Sequence, residues 1–453
     1  YGDPAGNFAF NDIFTRETPL RATAGTGADL ASLLLGYPSS GTFLQSTKMF
    51  QFVDYYGFYF HDDFRVNAKL TLNFGLRYEY ETGLQAVNNT LITGFDTSAA
   101  SPITVTSPVA GFSPKGGLLY AGRDGGRTQT GNLNRNKFAP RAGFAYQWNA
   151  RATIRGGYGM FWAPIPYGFQ NTLGYSQTTA YLASVDGGFT PAGSLSNPFP
   201  NGILSPVGNA NGLLAGIGQS VSFIDQNHRA PNIHQFSFDI QHQLPWGLAL
   251  AAGYVGSRSY DLVLGAGGIN INQLDPTFFS EGAAALNSRV TNHYFVPGGP
   301  GFIGGRTMTR EQFLRPFNQF ANVTLNNSDY NSARYDSFVS KVQKRMSAGL
   351  SLLASWTWSR NMDASVAGAG TFFNGLGAIQ NAFDPGAEYS LSSVHSPHRF
   401  SSAFTYEMPF GKRRRWGAST LADLAIGGWS VNGIVTYQTG YPLAITQASN
   451  NKS

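Results

Sequence analysis

The 453-residue chain has no cysteine. A disulfide scaffold, a cysteine-ligated zinc array and a cysteine nucleophile are therefore excluded. Charge is scarce too. Asp, Glu, Lys and Arg together make up 12% of the residues, roughly half the ~25% of ordinary soluble domains. No run approaches the ~18 consecutive apolar residues that cross a bilayer as a helix, which excludes a helical membrane protein. The chain starts at Tyr1, with no basic segment leading into an apolar one. The expectation is that no signal peptide is present and that processing or truncation removed the natural start.

What the chain does have is 42% hydrophobic residues, 14% aromatic residues and 55 glycines. That supply can bury a large core and argues against disorder. A net charge of +6 could suit nucleic acid, but the 31 Lys and Arg are thinly spread. Their one cluster, Lys412–Arg415, reads as a solvated turn, so no nucleic-acid partner is expected. The length would suit two or three domains, although an all-β barrel can run longer as one unit.

The strongest local signal is strict alternation. In Leu70–Tyr80 one face holds Leu70, Leu72, Phe74, Leu76, Tyr78 and Tyr80; the other holds Thr71, Asn73, Gly75, Arg77 and Glu79. A period of two means a strand with one apolar and one polar face. Gln235–Leu244 repeats the pattern with His242 as its exception, and so does Leu350–Ser359. Weaker versions run through Pro140–Asn149, Ala152–Trp162, Phe400–Met408 and Trp429–Gln438.

These strands are predicted to pair across short turns. Thr42–Phe64 meets Leu70–Thr82, Lys137–Trp148 meets Arg151–Ala163, and Ile233–Leu244 meets Leu248–Leu262. Tyr335–Arg345 meets Leu350–Asp363, and His398–Met408 meets Gly427–Thr446 across a longer turn. Phe8–Phe14 reads as a lone strand before the first pair, giving eleven strands. Between pairs lie connections at 16–41, 83–136, 164–232, 263–334 and 364–397, rich in Gly, Pro, Asn and Ser. Structureless loops of that length are rare in compact soluble domains.

Short and long connections alternate without exception. In an up-and-down barrel this places every short turn on one rim and every long loop on the other, as in outer-membrane barrels. Lipid explains the pattern. A strand in hydrocarbon must satisfy each backbone N–H and C=O through its neighbours, so only closed sheets span. Spanning takes about 9–11 residues per strand, and most of these segments have that. Tyr78, Tyr80, Trp148, Trp162, Tyr254, Trp356, Trp358, Trp429 and Tyr437 stand near strand ends, where interfacial girdles form. The competing fold is a soluble β-sandwich or propeller. No repeat of 20–50 residues with a blade signature favours the propeller. The fold class is thus all-β: an antiparallel up-and-down transmembrane β-barrel segment of about eleven strands, with outer-membrane lipid as its partner.

Candidate sites are few. His395 and His398, near Asp384 and Glu388, could be built into a metal site, but rim hydrogen bonding is the simpler reading. Asp62-Asp63 lacks the spacing of a calcium loop and reads as a strand end. Gly122–Gly131 is glycine-rich without a Walker lysine or a strand–helix setting, and reads as a flexible external loop. There is no G-x-S-x-G and no H-E-x-x-H. No catalytic constellation, resident metal or cofactor is expected, and hence no enzyme. Arg77, Glu79, Arg141, Arg151 and Arg155 are assigned to the polar face, lining a lumen, touching an occluding domain or pairing across strands. Loop aromatics Phe169, Tyr175, Tyr181, Phe189, Phe223, Phe295, Phe302 and Phe313 could stack on a ligand, with packing of the loops on one another as the default.

Several stretches resemble one known family. "YYGFYFHDDFRVNAKLTLNFGLRYEYET" (Tyr55–Thr82) resembles a paired-strand motif of TonB-dependent outer-membrane receptors. "NKFAPRAGFAYQW" and "TIRGGYGMFWAP" resemble the next hairpin, and "HQFSFDIQHQLPWGLALAAGYVGSRSYDL" the one after. "SKVQKRMSAGLSLLASWTWSRNMD", "SPHRFSSAFTYEMPFGKRRRW" and "ADLASLLLGYPSSG" also match. The set is most similar to the Oar-like branch. The resemblance implies a barrel of about 22 strands, an N-terminal plug and coupling to the inner-membrane TonB complex. It implies a receptor that takes up a bulky ligand across the outer membrane. The ligand is not implied, because iron chelates, cobalamin, oligosaccharides and peptides all use this architecture. No plug, TonB box or terminal aromatic-ended strand is recognised in residues 1–453. The expectation is a partial barrel domain from a longer protein. Two other classes compete: a surface adhesin or structural barrel, and a passive porin.

Overall fold

The computed structural model describes residues 5–105, 113–131, 134–165, 167, 170, 172–263, 268–364, 379–411, 416, 423 and 427–443. Its main element is a wall of ten long strands. They are β1 (Tyr55–Arg65), β2 (Leu70–Glu81), β3 (Lys137–Asn149), β4 (Ala152–Trp162) and β5 (Asn232–Leu244). Then come β6 (Leu248–Leu262), β7 (Asn331–Ser347), β8 (Leu350–Asp363), β9 (His398–Glu407) and β10 (Ser430–Gln438). Each pairs antiparallel with its sequence neighbours, an unbroken up-and-down order. The short strand Ser390–Leu391 pairs with β8 and completes an eleven-stranded sheet.

The five hairpins fall where alternation placed them, but the start of the chain differs. Thr42–Phe64 is not one strand. It divides into Ser40–Ser46, Gln51–Phe52 and β1. Ser40–Ser46 leaves the wall and sits between Asn7–Ala9 and Ser176–Ala180 in a separate sheet. The lone strand Phe8–Phe14 is likewise only Asn7–Ala9. Asn11 then accepts a hydrogen bond from Ile13 N–H at 3.1 Å and starts a 3₁₀ turn over Asp12–Phe14. Short polar side chains compete with the ladder in this way. The eleventh strand of the sheet is therefore Ser390–Leu391 and not Phe8–Phe14.

The register fixes the strand tilt. Arg65 ends β1. Its row runs through Thr71, Ala145, Arg155, Asp239, Gly253, Val339 and Thr357 to Arg399 of β9. β9 continues from Arg399 for eight more residues to Glu407. The short-turn rim thus slips about one residue per strand. With ~3.3 Å per residue along a strand and ~4.8 Å between strands, the tilt is about 35°, within the range of outer-membrane barrels.

The two faces differ sharply. One row carries Phe238, Tyr254, Phe338 and Trp358 side by side on β5 to β8. All four rings are exposed, Trp358 by 57%. The opposite face carries Ser237, Asp239, Ser337 and Ser359. Wetting the apolar face would cost ~25 cal/mol per Å², so this face requires a hydrocarbon neighbour. Trp148, Trp246 and Trp429 are exposed at the short-turn rim. The turn into β8 uses Gly349 at φ +79°, where a Cβ would stand 2.8 Å from the Glu407 carbonyl.

The main hydrophobic core lies outside the wall. It is built from three long connections: L1 (residues 82–136), L2 (163–231) and L3 (263–330). L1 contributes Phe95, Leu118 and Tyr120; L2 contributes Tyr175, Val221 and Phe223; L3 contributes Tyr294, Met308, Phe320 and Val323. Val221–Ile224 of L2 pairs parallel with Val323–Asn326 of L3. The long loops fold together into a cap.

Candidate functional site

The site consists of the polar face of the wall and the cap at its long-loop rim. Arg77 and Glu79 share the polar face of β2. Arg77 Nε donates to Glu79 Oε1 at 2.6 Å and its Nη2 to Tyr55 Oη at 3.1 Å. Arg141 of β3 lies on the same face, its guanidinium 4.5 Å above the Phe161 ring. Arg155 of β4 stands opposite Asp239 in the register. Arg151 lies in the turn between β3 and β4, where its N–H donates to Asn149 Oδ1 at 2.8 Å. Four of the five sequence-assigned charges thus sit within strands on one face, and Arg151 on the short-turn rim.

A buried ion pair that sequence reasoning missed joins the long-loop ends of β2 and β3. Lys137 Nζ donates to Glu81 Oε2 at 2.6 Å, with both side chains buried. Glu81 also accepts from the Ile165 N–H of L2 at 3.2 Å. A buried pair of this kind is costly to break by removing one partner. Beside it Tyr167 Oη meets His228 Nε2 at 3.2 Å. Arg229 of L2 binds Asp329 of L3 at 2.7 Å and Asp261 of β6 at 2.8 Å. The Ile165–Glu81 and Arg229–Asp261 contacts tie L2 to strand ends, and Arg229–Asp329 ties L2 to L3.

Buried amides hold the cap together. Asn272 Nδ2 donates to the Phe317, Phe320 and Ala321 carbonyls at 3.0, 3.0 and 3.2 Å, and its Oδ1 accepts from Phe317 N–H at 2.8 Å. Gln319 Nε2 of L3 donates to the Lys115 carbonyl of L1 at 2.6 Å. Tyr120 Oη of L1 donates to the Leu173 carbonyl of L2 at 3.0 Å. Burial pushes the Tyr120 and Tyr294 hydroxyls well above the usual tyrosine range. Asp96 is held below the usual carboxylate range by the Ser98 and Ala99 N–H groups and the Ser98 hydroxyl.

Gly122–Gly131 belongs to this cap and is not a free external loop. Gln129–Thr130 pairs with Leu84–Ala86, and Arg123 donates to the Asn209 carbonyl of L2. Asp96, Tyr120, Arg123, Arg127, Leu213 and Gln226 line a cavity of about 360 Å³ here. Arginine, carboxylate and apolar side chains line it together.

The loop aromatics have mostly structural partners. Phe223 lies in the cap core, with Phe302 and Phe313 packed against it. Tyr175 and Tyr181 are buried, Phe295 receives Arg306 over its ring at 4.9 Å, and Phe189 is exposed. Phe169 and Lys412–Arg415 lie outside the described residues. His395 Nδ1 accepts from Asn361 N–H at 3.2 Å, while His398 stacks on Trp356 at 5.8 Å. The two imidazoles therefore have separate roles on the rim. Asp63 accepts from Asn73 Nδ2 at 2.5 Å. Among the described residues no group of three His, Cys, Asp or Glu could hold a metal ion.

A tilted, two-faced antiparallel wall with one rim of short turns defines an outer-membrane β-barrel segment. The comparison with protein families agrees. The family described as "Outer membrane beta barrel domain" matches residues 1–453. The chain belongs to that family, and its place is the outer membrane. No curated protein sequence matches it. Similar solved structures include the alcaligin outer-membrane receptor FauA from Bordetella pertussis, at 13% identity over 88% of this chain and 42% of that chain, TM-score 0.33. The siderophore receptor PiuA from Acinetobacter baumannii is similar at 9% identity over 82% and 32%, TM-score 0.33. The ferric-catecholate import receptor Fiu from E. coli K12 is similar at 11% identity over 79% and 33%, TM-score 0.31. The chain spans less than half the length of each.

Proposed function

We propose that the chain is part of the barrel domain of a TonB-dependent receptor of the Oar-like type. It binds a bulky extracellular ligand at its cap and admits it to the periplasm. In this reading residues 1–453 form a partial barrel. β1 and β10 each present an open edge in lipid, which a further strand must pair. A plug with its TonB box occupies the lumen, and the TonB complex acts on that plug. Arg77, Glu79, Arg141 and Arg155 line the lumen and face the plug, with Arg151 at the periplasmic mouth. The protein does no chemistry on the ligand, and is not an enzyme.

The observation that carries the reading is the cap. Three long loops share one core tied to the long-loop rim of the wall, which supports a preformed surface over a lumen. The in-series motifs from Ala28 to Trp416 support the same family. Energised uptake by cells making the full-length protein tests it. Ligand accumulation should stop when the TonB system is removed or the proton-motive force is collapsed. Accumulation that survives both, with large stable conductance in planar bilayers, would mark a passive porin. Cell-surface attachment without uptake would mark an adhesin.

A further inference from the structure

The apolar face of the wall ends in a compact basic group. Arg258 of β6, Arg334 of β7 and Arg360 of β8 stand on the same face as Phe338 and Trp358. One carboxylate lies among them. Arg258 Nη2 reaches Asp336 Oδ1 at 2.7 Å, and Arg334 Nε reaches Asp336 Oδ2 at 2.6 Å. Arg360 is the register partner of Asp336, is exposed, and makes no ion pair among the described residues. Three cations face one anion, which leaves a local excess of two positive charges.

Height places this group. Arg258 and Arg360 stand ten residues along their strands from Leu248 and Leu350 at the short-turn rim. At ~3.3 Å per residue and a tilt of about 35°, that is about 27 Å above the rim. The apolar band of an outer-membrane barrel is ~25 Å tall. The guanidiniums therefore lie at its upper border, on the long-loop side. Of this group, Arg360 and Asp336 also line a cleft of about 490 Å³, together with Tyr254, Phe338, Trp358, Leu391 and Pro397.

We propose that this is a binding site for a phosphorylated lipid of the outer leaflet. Its phosphate sits on Arg334 and Arg360, and an acyl chain lies in the cleft. Cations at a headgroup plane attract anionic lipid, and the apolar cleft distinguishes a lipid from a free anion. The site rests on the membrane placement alone and is independent of the transport reading.

The test uses the full-length protein in neutral detergent and native mass spectrometry. The probes are diphosphoryl lipid A, its dephosphorylated form and inorganic phosphate. Wild type should retain one lipid A, at least tenfold more than the dephosphorylated form, and millimolar phosphate should not displace it. Arg334→Gln/Arg360→Gln should cut retention at least tenfold, and Arg399→Gln on the polar face should leave it unchanged. Arg360→Gln alone, which breaks no hydrogen bond of the described fold, should cut it severalfold. Unchanged retention in both site variants, equal retention of the dephosphorylated lipid, or displacement by phosphate would each overturn the site.

Discussion

Asn272 offers a sharp test of the cap, because one atom can be changed there. Its side chain is fully buried. Its Nδ2 donates to three carbonyls and its Oδ1 accepts one N–H. Asn272→Asp keeps the shape and the acceptor but replaces the donor with an oxygen. At ~1 kcal/mol net per hydrogen bond, losing three donations costs about 3 kcal/mol. An ionised carboxylate would also face three carbonyl oxygens in a dry site, so it takes up a proton. Holding a carboxyl of ordinary value ~3.9 protonated at pH 7 costs about 4 kcal/mol, and the proton restores one donation. The total is about 6 kcal/mol at pH 7. Near pH 4 the protonation cost vanishes and about 2 kcal/mol remains.

Asn272→Ala should be milder at pH 7, at about 3 kcal/mol. The Phe320 carbonyl keeps Gln312 Nε2 at 2.7 Å, the Ala321 carbonyl keeps Arg315, and the Phe317 carbonyl keeps Phe320 N–H at 2.9 Å. Only the Phe317 N–H is orphaned. Hydrogen exchange on the full-length protein in micelles reads this directly. Peptides covering residues 317–323 and 115–120 should lose protection in the order wild type, Ala, Asp at pH 7. The Asp variant should recover most of its deficit by pH 4, while the wall strands stay protected in all three. Equal protection of Asp and wild type at pH 7 would refute the account of the cap. Loss spread evenly into β3 to β8 would refute the separation of cap from wall.

Other outcomes follow from the same geometry. Lys137→Met leaves Glu81 buried and unpaired and should cost about 3–5 kcal/mol, whereas Lys137→Met/Glu81→Leu should recover most of it; thermal unfolding in detergent compares them. Phe238→Lys should cost about 2–4 kcal/mol by placing a charge against lipid, while Ser237→Lys next to it should cost far less; equal losses would contradict the face assignment. Tyr120 and Tyr294 keep their protons longer in the folded state than the ordinary value of 10.0 allows in the unfolded one. Their stabilisation is thus present below pH 10 and lost as pH rises above it, so cap protection should fall in alkali. Tyr120→Phe should lessen that fall.

Much of the wall was legible because a period of two leaves a strong trace. Leu70–Tyr80 and Gln235–Leu244 are half apolar by position, and the turns at Pro245–Gly247 and Met346–Gly349 punctuate them. The break at residues 47–54 was hidden, since no Pro or Gly marks the place where the backbone leaves the sheet that Ser40–Ser46 shares with Ser176–Ala180. Loops L1 to L3 carry no periodicity at all. Phe95, Tyr120, Phe223 and Phe320 meet only through contacts far apart in sequence, so their shared core left no local pattern. Glu81 and Lys137 could not be paired from the sequence, because neither spacing nor composition brings them together. Of the site, the polar-face charges could be read from parity, whereas the anchoring amides Asn272 and Gln319 could not.

The central claim is that one face of the wall meets lipid and the other a wet lumen. Residues 1–453 contain no cysteine that would compete for the label. Single cysteines are placed in turn at positions 235 to 244 of β5 in the full-length protein, spin-labelled and reconstituted in bilayers. Accessibility to dissolved oxygen and to a water-soluble nickel chelate is then recorded. The account predicts a period of two, with labels at Phe236, Phe238 and Ile240 accessible to oxygen and those at Ser237, Asp239 and Gln241 to the chelate. Labels that all report water, or that show no alternation, would contradict it.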